Sequence, residues 1–587
     1  MVEKFYNKFP GYNPNQACSL HISGVMAHQM GKQEIACSLI SRAIARDHEI
    51  PQYYNDLALV LSALGKPEQA IQSIKKALLL KPDFAEAFNN LGNLFMDQER
   101  ALAAIKSFHH ALKIKPDFAE AHFNMGNAFN ALGRNDLAIK QYILSIKYMP
   151  DNYKAYNNLG NILRETGRVD EAVQCYQHAI GIRPESAVGA LNNMGNLLRN
   201  NARFAEAILY FKRALAIDPN LPETYNNLGN VLKDQGNLKA AEECYKKTIR
   251  IDNGFAEAHF NLSIVLLLTG NFEEGWKEYE SRLQRSGRPI IFPHRNRSAI
   301  WDGSPFPDKR LLVYDEQGLG DTLQFIRYLP MVKAMGGTII FETRETFYSL
   351  LEEMPYIDEL WKRMPNGNPD IKYDLHVPLL SLPMIFGTTL HSIPDKVPYL
   401  KADPVKSKLW GHRIKGEGLK IGVVWAGSPT DTKRSCNLNR FDKLIQASGT
   451  CWYGLQKGSA ASQMKKLPEN VKLINLGEEF NDFSDTAAVI ANLDLIISID
   501  TSVAHLAGAM GKPVWLLLPL ISDWRWLLNR KDSPWYPTMT IFRQQDIGDW
   551  DSVIYNVGLA LHRFVKTYGI KPLNEESNKV RAHAKTT

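Results

Sequence analysis

A spacing of 34 residues constrains this chain more than anything else in it. Small residues recur at Gly24, Ala58, Gly92, Gly126, Gly160, Gly195, Gly229 and Ser263, in steps of 34 with a single step of 35. Twelve residues beyond each stands a second small column, Ala36, Ala70, Ala104, Ala138, Ala172, Ala207, Ala241 and Gly275. A third follows seven residues later, at Ala43, Ala77, Ala111, Ser145, Ala179, Ala214 and Thr248. A Gly usually separates the first two columns, and Pro82, Pro116, Pro150, Pro184 and Pro219 close most units. Small residues let two helices cross closely, Gly allows a sharp turn, and Pro cannot continue a helix. Each unit therefore reads as a helix pair, and eight stacked units as a superhelix with an extended concave face.

These columns resemble the tetratricopeptide repeat. A further column, Asn90, Asn124, Asn158, Asn193, Asn227 and Asn261, lies two residues before the first small residue of each unit, with Asp56 ahead of it. Two residues is about 200° of helix, so these side chains point away from the contact within the pair. Carboxamides both donate and accept, so such a row suits the backbone of an extended peptide in the groove. Bonding between repeats is the other reading. The last unit is atypical: Gly275-Trp276 replaces the usual pair and no proline follows. Terminal repeats often change face to dock on something, and here the candidate is the second half of the chain.

The second half alternates short apolar runs with helical stretches. KRLLVYD (309–315), TIIFET (338–343), YDLHVPL, LKIGVVWAG (419–427), CWYGLQ, VKLINLG, LDLIISID and VWLLL read as strands. Leu323 to Met335 reads as an amphipathic helix, and a final helix begins near Asp549. This pattern predicts parallel sheets, and its restart after about 110 residues predicts two Rossmann-like lobes with a cleft between them. Ligands in such folds sit at strand carboxyl ends. The expected layout is a lead (1–16), an α-solenoid (17–289), a first α/β lobe (290–410), a second (411–568) and a polar tail (569–587).

The chemistry-bearing residues fall at those strand ends. Asp500, Thr501 and Ser502 follow an apolar run and open a helix, where backbone N–H groups and the helix dipole favour an anion such as a diphosphate. An ordinary helix capped by Thr501 is the plainer alternative. Asp321 follows Gly318-Leu319-Gly320. It reads either as a capping box with Gln324 or as a general base beside a cleft. Lys433 and Arg434 are either a solvated pair or the cations that neutralise a diphosphate. His505 is either a core histidine or a ligand donor. The glycines at 318 and 320 lack the third glycine of a dinucleotide fingerprint, and no P-loop sequence occurs, which argues against NAD binding and a P-loop kinase. Asp549-Trp550-Asp551 opens a helix, so capping is expected there rather than metal binding.

WDGSPFPDKRLLVYDEQGLGDTLQFIRYLP, IGVVWAGSPTDTKRS and DTSVAHLAGAMGKPVW resemble the glycosyltransferase family that contains the ADP-heptose:lipopolysaccharide heptosyltransferases. The whole chain is similar to bacterial tetratricopeptide-repeat glycosyltransferases. That resemblance implies a two-lobed glycosyltransferase fold of the B type and an inverting, metal-independent transfer from a nucleotide sugar. It implies that Asp321 is the general base and that Asp500, Thr501, Ser502 and His505 bind the donor. It implies that Lys433 and Arg434 face the donor's phosphates. The acceptor is expected to be a polypeptide in the repeat groove. A glycan or glycolipid acceptor, with the repeats as a protein–protein scaffold, and a non-enzymatic scaffold with a decayed transferase region are the alternatives.

The net charge of +7 is small for 587 residues and argues neither for nor against nucleic acid, there is no long Lys/Arg run, and no nucleic-acid partner is expected. The six cysteines show no metal-ligand spacing, and no stretch approaches the ~18 apolar residues of a membrane helix. A cytoplasmic protein with no cofactor beyond a nucleotide-sugar co-substrate is expected.

Overall fold

A computed structural model describes residues 16–285, 298–364, 370–428 and 432–568. The expected lead and tail thus lie almost wholly outside the described residues. So do part of the connector between the repeats and the first lobe, and part of the loop before Lys433. The chain divides into two compact units, Met1–Val231 and Leu232–Thr587.

The first unit is a solenoid of helix pairs, from Ala17–Gln29 with Gln33–Arg46 through Val188–Asn200 with Phe204–Ile217. Its small columns have a specific partner. A Cβ at Gly92, Gly126, Gly160 or Gly195 would lie 2.3–2.7 Å from the ring of Phe108, Tyr142, Tyr176 or Phe211 on the second helix. Those rings and the second-column alanines are fully buried. Each of these four pairs thus buries one large ring against a residue without a side chain. The inter-helix turns place Gly31, Gly65, Gly133 and Gly167 at φ of +68° to +80°. Glu99 and Ala202 stand at the equivalent turns and adopt φ of +58° and +57°.

The second unit begins with helices Leu238–Ile251, Ala256–Leu268 and Phe272–Tyr279. The terminal repeat docks on the α/β region, as its changed sequence suggests. Trp276 Nε1 donates to the Thr388 carbonyl at 2.9 Å. Buried Arg282 pairs with Glu316 at 2.6 Å.

Two wholly parallel sheets follow. The first has the order β1-β5-β2-β3-β4, with β1 Ala299–Ile300, β2 Arg310–Tyr314, β3 Thr338–Thr343, β4 Glu359–Lys362 and β5 Leu375–Pro378. The second has the order β11-β10-β9-β6-β7-β8. Its strands are β6 Leu419–Val424, β7 Thr450–Gly454, β8 Leu473–Asn475, β9 Leu495–Ile499, β10 Val514–Leu518 and β11 Met539–Arg543. β9 and β10 are buried throughout, as their unbroken apolar runs require. Sequence reading misses β1, β4 and β11, which lie at sheet edges; β1 is only two residues long, and β4 and β11 carry polar residues.

The helix expected over Leu323–Met335 needs correction. It begins at Leu319 and runs to Phe325, tightens to a 3-10 turn over Ile326–Tyr328, and resumes over Leu329–Lys333. Pro330 has no N–H to continue the earlier ladder and sits in a new first turn.

Candidate functional site

β2 ends at Tyr314, and a short loop through Gln317 and Gly318 leads into the helix Leu319–Phe325. β9 ends at Ile499, and Asp500 and Thr501 lead into the helix Ser502–Ala509. The two helices meet where Gly320 faces His505. A Cβ on Gly320 would lie 2.8 Å from the imidazole Cδ2. This close approach brings the carboxyl ends of both sheets to one cavity of about 750 Å³. Gly318, Gly320, Asp321, Arg434, Asp500, Thr501, Ser502 and His505 all border it.

Asp321 is the third residue of its helix rather than the cap of a later one, which corrects the expected box with Gln324. Its Oδ2 accepts from the Gly318 N–H at 2.6 Å, and its Oδ1 accepts from Arg525. Burial raises its pKa above the ordinary carboxylate value, while Arg525 and the Gly318 N–H pull against that rise. Gln324 instead accepts from Arg525 Nε at 2.7 Å.

Asp500 is 8% exposed. Burial and the neighbouring Asp523 push its pKa up to about 6, against the pull of Arg434. Arg434 Nη1 stands 4.0 Å from Asp500 Oδ2, and Gly427 makes room for it. Thr501 occupies the N-cap position, but its side chain does not cap the helix. Its hydroxyl lies 3.1 Å from that of Ser498. The first N–H groups of such a helix have no partners within it, so they are available to an anion.

His505 is buried among aromatic rings. Its Nδ1 lies 2.9 Å from the Tyr536 hydroxyl, and it stacks on Trp526 at 5.2 Å. Burial, with Arg525, Arg327 and Arg434 nearby, holds its pKa well below the usual value, so the ring is neutral at pH 7. The helix's small residues serve a close contact, since a Cβ at Gly508 would meet Tyr536 at 2.6 Å.

Lys433 is exposed and does not border the cavity. Of the expected Lys433–Arg434 pair, only Arg434 borders the cavity. The asparagine column serves largely to bond repeats together. Asn90, Asn124, Asn158 and Asn193 each donate Nδ2 to an asparagine of the preceding repeat, at 2.9–3.1 Å. Asn227 is half-buried and Asn261 buried. Asp549 caps Ser552, and Asp551 pairs with Arg440, so the acidic pair is structural. Among the described residues no group of three or more His, Cys, Asp or Glu is placed to hold a metal.

Sequence reading misses Arg525. It stands in Asp523-Trp-Arg-Trp, five to eight residues past the end of β10 at Leu518. Its place beyond a strand's carboxyl end was the available signal. Lys457 is also missed. It borders the cavity and donates to the Phe480 carbonyl at 2.5 Å. The terminal repeat supports this wall from behind. Tyr279 donates its hydroxyl to Gln317 Oε1 at 3.2 Å, beside the Arg282–Glu316 pair.

Family models described as "Tetratricopeptide repeat" match residues 119–152, 151–220, 186–254 and 226–288, and one described as "TPR repeat" matches 58–99 and 92–133. Residues 58–288 therefore carry tetratricopeptide repeats. Protein FlbA of Caulobacter vibrioides is 26% identical over 322 residues. The match takes in 50% of this chain and 52% of that protein, so the chain spans about half the length of this curated relative. Among solved structures, MamA is 26% identical over 28% of this chain and 96% of its own, with a TM-score of 0.26. The Cut9–Hcn1 structure of the APC/C is 17% identical over 49% of this chain and 56% of its own, with a TM-score of 0.38. No helix among the described residues is long and apolar enough to cross a membrane.

Proposed function

We propose that the chain is a glycosyltransferase of the two-lobed B type, which moves a sugar from a nucleotide-sugar donor to a hydroxyl of a polypeptide. The observation that carries this reading is the shared cavity. Asp321 lies on its first-sheet side, and the start of the helix Ser502–Ala509, with Arg434 beside it, lies on its second-sheet side. A cavity of about 750 Å³ is in the range that encloses a nucleotide-sized ligand.

In this reading the helix start and Arg434 receive the donor diphosphate, and the acceptor hydroxyl approaches Asp321. Its oxygen forms a bond to the anomeric carbon as the bond from that carbon to the phosphate oxygen breaks. The leaving nucleoside diphosphate keeps the electron pair, and the hydroxyl proton passes to Asp321. Attack opposite the leaving group inverts the anomeric centre. Neutral His505 has no charge to offer the phosphates, so its part is to shape the cavity and keep Gly320 close. The tetratricopeptide repeats supply the surface for a protein acceptor, as repeat solenoids present extended binding faces.

A thermal-shift panel of UDP, GDP, ADP, dTDP and CMP tests the donor site, because a ligand that binds only the folded form raises its melting temperature. A rise with one of them supports the reading, and no rise with any contradicts it. Incubation of the productive nucleotide's sugars with bacterial lysate then tests the acceptor. A labelled protein band supports a polypeptide, while label only in glycan or lipid contradicts it.

A further inference from the structure

We propose that Arg525 joins the two functions of the cavity, orienting the Asp321 carboxylate while clamping the diphosphate of a bound nucleotide. The inference rests on the transferase reading and assigns a residue that the reading of the sequence does not single out.

Arg525 is 7% exposed, yet it borders the cavity. Its position is strongly determined. Nε donates to Gln324 Oε1 at 2.7 Å, Nη1 donates to Asp523 Oδ1 at 2.7 Å, and Nη2 donates to Asp321 Oδ1. The guanidinium lies over the Trp524 ring at 4.3 Å, and Trp524 is held edge-on by Trp276 of the terminal repeat at 5.2 Å. A guanidinium has five N–H groups. These bonds take one from each nitrogen, which leaves one hydrogen on each Nη. Those two N–H groups remain to meet phosphate oxygens.

The charges of the site favour the same role. Four carboxylates, Asp321, Asp482, Asp500 and Asp523, border the cavity together with two guanidiniums, Arg434 and Arg525. The third cation, Lys457, is directed at the Phe480 carbonyl. A dianionic ligand is held against four carboxylates only where it touches the guanidiniums and the helix start. A diphosphate that shares Arg525 also draws positive charge away from Asp321. The carboxylate then becomes a stronger base when the donor is in place, which ties proton removal to donor occupancy.

Isothermal titration of the full chain with UDP, GDP, ADP and inorganic pyrophosphate tests the proposal, with circular dichroism to establish folding of each variant. The loss of charge-assisted hydrogen bonds predicts diphosphate binding about 30-fold weaker in R525Q. R525K, which keeps the cation without the fork, should recover part of that loss. A folded R525K and R525Q that both bind within about twofold of wild type overturn the proposal and leave the transferase reading standing. If wild type binds none of the probes, the transferase reading falls and this proposal with it. If R525Q does not fold, the double variant D523N/R525Q, which removes a carboxylate together with the cation, takes its place.

Discussion

Replacing Asp500 with Asn should make the protein more stable at neutral pH and less so in relative terms as the pH falls. The reason is the pKa of about 6 that burial and Asp523 impose on this carboxyl, against an ordinary value of 3.8. The folded state therefore binds the proton more tightly than the unfolded chain does. Stability from this group is fully present below the unfolded value and is lost as the pH rises through the folded one. At pH 7 both states are ionised, and the folded protein bears a buried charge. A displacement of about two units corresponds to about 3 kcal/mol. An uncharged Asn of the same shape removes that cost. For a unit of this size about 3 kcal/mol is worth roughly 4 °C in melting temperature. Between pH 7 and pH 5 wild type regains roughly 1 kcal/mol by protonation, and D500N does not. Melting curves of both proteins at pH 5, 6 and 7, followed on the transition of the second unit, read this directly. A D500N advantage that is absent, or that does not change with pH, refutes the argument.

Other substitutions test the fold and the site. Glu99→Gly and Ala202→Gly place glycine at the two turns that hold positive φ without it. Each should raise the urea midpoint of the first unit by an equivalent of about 1 kcal/mol, and a lower midpoint contradicts the turn argument. Gly126→Ala sets a Cβ 2.6 Å from the Tyr142 ring. It should cost about 1–3 kcal/mol in the same assay. Arg282→Met leaves Glu316 and Glu280 without their buried cation. It should destabilise the second unit by about 3–5 kcal/mol by chemical denaturation. Once a donor is identified, Asp321→Asn should cut transfer about 10²–10⁴-fold while nucleotide affinity stays near wild type. Equal losses in both contradict its role as base.

Much of the candidate site was legible because its residues follow long apolar strands. β2, β9 and β10 announce themselves as unbroken runs, and a residue just past such a run lies at a carboxyl end wherever the sheet is placed. That logic located Asp321, Asp500, Thr501 and Ser502. It also applied to Arg525, but the stretch past β10 opens with no regular helix to mark it. Lys433 and Arg434 looked equivalent in sequence. Adjacent residues point in different directions, and only the turn's geometry sends one to the cavity and the other to solvent. The asparagine column shows the same limit. Periodicity gave the face it lies on, while the partner on the preceding repeat depended on how the pairs stack.

Sequence alone determined the repeat, because a 34-residue period of small residues, turns and prolines is written in local sterics that act within one helix pair. It also showed the inner strands of the two parallel sheets, which must be largely apolar to be covered on both faces. Tertiary structure alone decided which contacts, Trp276 to Thr388 and Arg282 to Glu316, hold the terminal repeat to the α/β region, and that Gly320 meets His505. It decided too that one buried guanidinium ties Asp321 to Asp523. Those contacts join residues up to two hundred positions apart, and they depend on which surfaces bury each other, a property of the folded packing that no local pattern encodes.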